Sequence, residues 1–324
     1  MQVTNTLKAE QPYLKKIITI IKFVLVPLTF GFIFYKLFYS YHIDDLLQDV
    51  ELNFGVKQVL CISIVVVLMV LNWLVETYKW QFMLRKTEPV SYWQAFKAVL
   101  SGVMFNIITP NQLGDFAGRV IHLKVLDKIK GALIMVIGHT AQVLLTAILG
   151  LYALIQFGVV TKITDNNFAF WSNVLLTILA SIATVLYFKL HWLSSIKWGK
   201  KIKPYLDVFS LFSVRELTQI MGLSAIRYLI FVLQYYFLLL AFDVHLSWSN
   251  ALIGILATFF AQSFIPGFLL VELGMRGASA LWFFSAFTSS YAQVLFSAYS
   301  LWMINLMLPG LIGLIFILQW RANR

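Results

Sequence analysis

Apolar residues run unbroken for twenty or so positions again and again along this chain, and polar residues collect in the short links between the runs. A hydrocarbon core about 30 Å thick needs roughly twenty apolar residues per helical crossing. Barrel strands would instead alternate apolar and polar over about ten residues. The pattern therefore predicts an all-α polytopic membrane protein. Spanning helices are expected at about 17–39, 56–79, 131–158, 169–189, 219–242 and 290–319. Four shorter apolar pieces, at about 91–107, 112–124, 248–264 and 271–286, are grouped in two pairs. One pair is broken at Pro110 and the other at Pro266, and both read as re-entrant hairpins. The first run carries Lys22 and Lys36 and is followed by no small-residue cleavage site, so it reads as a retained helix and not a cleaved signal. The link at about 190–218 carries Trp192, Trp198, Leu206, Phe209 and Phe212, which predicts an amphipathic helix on the membrane surface.

Charge orients this layout. The chain carries 25 Lys and Arg against 14 Asp and Glu, a net charge of +11. With six crossings and two hairpins, nearly all the loop Lys and Arg fall on one side, together with both termini. The links at about 40–55, 159–168 and 243–250 fall on the other and hold only Lys162. The positive-inside rule makes the basic side cytoplasmic and places the chain in the cell (inner or plasma) membrane. The basic residues meet lipid head groups, so nucleic acid is not an expected partner. Tryptophans 80, 93, 171, 192, 198, 248 and 320 fall near predicted helix ends, where an aromatic belt belongs. The single cysteine, Cys61, excludes an intramolecular disulfide. No polar block is large enough for a soluble module, so residues 1–324 read as one integral domain.

Within this apolar frame the two broken segments share a pattern. Residues 106–119 read N-I-I-T-P-N-Q-L-G-D-F-A-G-R, and residues 262–276 read Q-S-F-I-P-G-F-L-L-V-E-L-G-M-R. A side-chain amide precedes each proline by four residues (Asn106, Gln262), and an acid precedes each arginine by four (Asp115/Arg119, Glu272/Arg276). This predicts an internal repeat, with copies at about 56–158 and 219–319 and the helices at 17–39 and 169–189 outside it. Three crossings separate the hairpins, so they enter from opposite faces, as in inverted-repeat transporters.

An acid and an arginine at i and i+4 share one helix face and can pair. Intramembrane charge is costly and marks candidate sites. Arginine's fork suits a phosphate or carboxylate, and helix starts after Pro110 and Pro266 add positive dipole ends. The expected substrate-binding residues are Arg119, Arg276, Asp115, Glu272, Asn106, Gln262 and Arg227, with Pro110, Pro266, Gly114 and Gly274 as hairpin breaks. The plainer reading is that each pair staples its own hairpin. Arg227 either reaches the cavity or snorkels to the cytoplasmic face. Glu76 and Lys79 read as interfacial, His139 as a hydrogen-bonded core residue, and Asn72 as an interhelical contact. No P-loop, zincin or nucleophile-elbow motif is present, and no metal-ligand spacing occurs. No catalytic residue, cofactor or metal is expected.

At these motifs the chain resembles the lysylphosphatidylglycerol synthase transmembrane-region family, also called the flippase-like domain family. Thr109, Pro110, Gly114, Asp115 and Arg119 match the family's first element. Pro266, Glu272, Gly274 and Arg276 match its second. The family often has Glu after the second arginine, where this chain has Gly277. The resemblance implies movement of a phospholipid between leaflets by a stand-alone member without the soluble aminoacyltransferase domain. The expected partner is thus a phospholipid or lipid-linked anion. The alternatives are a membrane-embedded transferase using Asp115 or Glu272 as base, or a scaffold for a separate envelope-lipid enzyme.

Overall fold

The structure, a computed structural model, describes residues 55–109, 113–195, 202–264 and 269–322. The described residues are mainly helical, joined by turns and short links, with no strand among them. The expected helix at 17–39 and both hairpin prolines, Pro110 and Pro266, lie outside them. The helices are α1 (Val56–Leu84), α2 (Tyr92–Ile108), α3 (Leu113–Val120), α4 (Lys128–Val160) and α5 (Asn166–Phe188), followed by α6 (Val214–Ala241), α7 (Trp248–Phe264), α8 (Leu269–Phe284), α9 (Tyr291–Trp302) and α10 (Leu308–Ala322). Among the described residues, five stretches are long and apolar enough to cross a membrane: α1, α4, α5, α6 and the continuous Tyr291–Gln319. These coincide with the five runs expected beyond residue 55.

Local chemistry sets the ends. Ser91 and Ser213 each form a capping box, with Gln94 and Glu216 respectively. Asp127 and Asp165 cap α4 and α5 by accepting backbone N–H bonds. Lys162 and Asp243, at φ 59° and 57°, turn the chain left-handed just past α4 and α6. Between α9 and α10 the helix widens into a π turn at Met303–Met307. Pro309 has no N–H for the carbonyl four residues back, which explains the local loss of α spacing.

α1 and α6 pack antiparallel. Lys57 meets Asp243 at one end, 3.1 Å apart, and Arg85 and Lys86 meet Glu216 at the other. Two further contacts between the segments before and after α5 are reciprocal: α2 packs on α10, and α4 packs on α7, while α6 also packs on α4. Exchange of this kind is what a twofold relation between two halves generates. The α2–α10 approach is backbone-close, because a Cβ on Gly313 would strike the carbonyl of Leu100. α5 stands apart, packed mainly on α4, with Trp171, Leu175, Ile178, Ile182 and Val185 exposed as lipid-facing residues should be.

The 190–218 link departs from its expected amphipathic surface helix. Its described parts are two short turns, Trp192–Ser195 and Lys203–Leu206, and a 3-10 segment, Asp207–Leu211. Phe209 and Phe212 are buried in the core beside Tyr187 and Leu217. Two of the side chains that suggested a lipid-facing stripe, Phe209 and Phe212, thus pack into the helix bundle; Trp192 is exposed, and Trp198 lies outside the described residues.

Candidate functional site

Asn72, Glu76 and Lys79 are spaced by four and three residues, so they share one face of α1. That face meets α3 and α6 at a single carboxylate. Arg119 of α3 donates from Nη1 to Glu76 Oε1 at 2.6 Å, and Arg227 of α6 donates to Oε2. Lys79 Nζ lies 2.8 Å from the same Oε2. Each cation also has further partners. Arg119 grips Asp115 through Nε and Nη2, both at 2.8 Å, in a two-pronged pair. Arg227 Nε donates to Asn72 Oδ1 at 2.8 Å, and its Nη1 to Gln142 Oε1 at 3.1 Å. Lys79 reaches Ser224 Oγ at 3.5 Å. The Arg119 and Arg227 guanidiniums lie 5.8 Å and 5.5 Å from the ring centres of Trp80 and Trp73. Glu76, Arg119 and Arg227 are 4%, 4% and 6% exposed.

The hub borders a cavity of about 230 Å³, also lined by Asn106, His139 and Ser263. The hub holds three cations, Lys79, Arg119 and Arg227, against two carboxylates, Glu76 and Asp115. Among the described residues the cavity lining contains no further carboxylate. Asn106 Oδ1 is buried without a partner.

The second motif copy is built differently. Arg276 Nη2 and Glu272 Oε2 are 3.9 Å apart, beyond hydrogen-bond reach. Arg276 Nη1 donates to Gln262 Oε1 at a long 3.4 Å, while Gln262 Nε2 reaches Ser279 Oγ at 3.2 Å. Arg276 Nε and the nearby Tyr235 hydroxyl are buried without partners. Neither Glu272 nor Arg276 lines the hub cavity.

Several expectations change. Glu76 and Lys79 are not interfacial: α1 continues to Leu84, so both lie inside the helix and are buried. Trp80, expected in an aromatic belt, is fully buried for the same reason. Arg227 turns inward to the cavity and does not snorkel. His139 is half-exposed in the cavity wall, edge-on to Phe116. Asn72 does make the expected interhelical bond, to Arg227. Gly114 and Gly274 lie within α3 and α8, four and eight residues past the respective prolines. Gly114 is required by contact, since a Cβ there would overlap the Phe105 carbonyl and the Thr109 hydroxyl. Sequence reasoning missed Glu76, Lys79, Gln142 and Ser224 as hub members. The heptad-like spacing of Asn72, Glu76 and Lys79 was the signal that could have found Glu76 and Lys79; Gln142 and Ser224 join only through packing.

Outside the apolar belt, Glu88 organises the turn before α4. Burial raises its pKa, but backbone N–H groups of Leu126, Lys124 and Val125 outweigh that and hold it below the ordinary 4.5. His122, 2.9 Å from Ser101 Oγ, is held below its ordinary value, first by burial and then by Lys97.

The description of the lysylphosphatidylglycerol synthase TM region matches residues 20–313. The chain belongs to that family. It is an integral, multi-pass membrane protein. No curated protein and no solved structure matched it. Of the family's first element, Asp115 and Arg119 enter the hub and Gly114 seats α3 against α2. Of its second, Glu272 and Arg276 form the looser pair, and Gly277, where the family often has Glu, is buried.

Proposed function

We propose that this protein moves a lipid with an anionic head group between leaflets and binds that head group at the hub. One observation carries the reading: three buried cations face two carboxylates beside a cavity of about 230 Å³. An unanswered charge is expensive inside a bilayer, and an anion in the cavity would answer it. The volume is several times the roughly 30 Å³ of one water, enough for a phosphate or carboxylate group. The antiparallel α1–α6 packing and the reciprocal exchange of α2 and α4 support an inverted repeat. In this reading α2–α3 and α7–α8 are hairpins that gate from opposite faces, with Arg276 receiving the head group on the second side. The basic side and both termini are cytoplasmic and the membrane is the plasma membrane. The transferase alternative gains little from Asp115, since both its oxygens accept from Arg119. A partner enzyme in envelope-lipid assembly is compatible with transport.

The test is a leaflet assay in proteoliposomes with fluorescent phosphatidylglycerol. Arg119→Lys keeps the charge and loses the fork, and Arg276→Gln removes the second cation. Each is expected to slow movement roughly tenfold while eluting as folded protein. Unchanged movement in both would remove the arginines from the mechanism.

A further inference from the structure

A second, larger cavity of about 950 Å³ opens beside α2, the α3–α4 connection and α10. Its lining includes the apolar Trp80, Ala98 and Phe316 and the three cations Lys97, Lys124 and Lys128. None of these lysines has a carboxylate within ion-pair distance among the described residues. The carboxylate in the lining, Glu88, spends its oxygens on three backbone N–H groups. Lys97 Nζ is held 5.5 Å and 5.8 Å from the ring centres of Trp93 and Phe316. Trp80 is fully buried, and its indole N–H has no partner. The same indole lies under the Arg119 guanidinium, which borders the hub cavity.

We propose that this cavity is a second binding site, for the phosphate of an anionic phospholipid, and that Trp80 is the partition between it and the hub. Lys97 and Lys124 meet the phosphate, Lys128 adds a third positive charge to the lining, and the apolar side chains receive the start of the acyl chains. Trp80 lines the larger cavity, and its ring is the surface on which the hub's Arg119 guanidinium rests, so the indole stands between the two. The site lies outside the paired motifs, so occupancy here can be measured whether or not the hub transports lipid.

The reporter is the alkylation rate of Gln319→Cys, at the cavity lining, in a Cys61→Ala background. Nanodiscs of phosphatidylglycerol are expected to slow alkylation roughly tenfold relative to phosphatidylcholine, as two lysines near a head group allow. Lys97→Gln with Lys124→Gln abolishes that protection, and Lys97→Arg retains it. Arg119→Lys leaves it intact even where transport is lost, which separates this site from the hub. Equal rates in the two lipids, or protection that survives the double lysine variant, would overturn the proposal. Protection by millimolar inorganic phosphate in phosphatidylcholine nanodiscs would reassign the occupant to a free anion and overturn the lipid assignment.

Discussion

The two copies of the acid–arginine motif have the same spacing and opposite degrees of satisfaction. Arg119 makes three hydrogen bonds at 2.6–2.8 Å and is nearly sealed from solvent. Arg276 makes one long bond, stands 3.9 Å from its acid and leaves Nε without a partner. What separates them is a third helix: α1 supplies Glu76 to the first arginine, and no described carboxylate plays that part for the second. A shared motif thus gives a local pair, while the neighbouring helix decides whether it becomes a rigid anchor or an under-used donor set. The first copy is suited to holding helices together around a site, the second to meeting something that arrives.

The comparison can be broken most directly at Glu76. Glu76→Gln leaves three buried cations facing Asp115 alone and should cost about 3–5 kcal/mol of stability, read by thermal unfolding in detergent; a cost below about 1 kcal/mol would deny the hub its anchoring role. Gly114→Ala should cost about 2–3 kcal/mol, because the new methyl meets the Phe105 carbonyl and α3 must shift from α2. A normal melting curve for that variant would mean that α3 is not seated as described. Glu88→Gln should cost about 1–2 kcal/mol. Its wild-type contribution is complete above the ordinary 4.5, because the folded pKa is the lower one, and fades as pH falls through that folded value. The variant should lack this acid-side loss, and identical pH profiles would count against the Glu88 turn. Arg276→Gln should be the mildest, under about 1 kcal/mol, since its ion pair is loose and about a quarter exposed. If it destabilises as much as Arg119→Gln, the two copies are equivalent after all.

Much of this was legible in the chain and some was not. Long apolar runs announced α1, α4, α5 and α6, because a bilayer leaves few ways to satisfy a backbone. The Asp115–Arg119 pair followed from helical spacing alone. Glu76 did not, because it joins Arg119 across 43 residues of sequence, and such a meeting is settled by packing. Its misreading began with a boundary: α1 continues five residues beyond the expected end at 79, and those residues turn an interfacial pair into a buried one. Arg227 stayed undecided for a similar reason, since its direction depends on whether a carboxylate waits inside. Phe209 and Phe212 show the converse error, a stripe that suits lipid and protein equally well.

The wide turn at Met303–Met307 sets the rotational phase of the fifteen residues of α10. One surplus residue in a helix advances everything after it by about 100°. α9 can therefore aim at its own half while α10 aims its glycines at α2. Deleting a single residue there would swing Gly313 off Leu100 and Gly310 off Ile107, and point bulky side chains at a contact with no space for them.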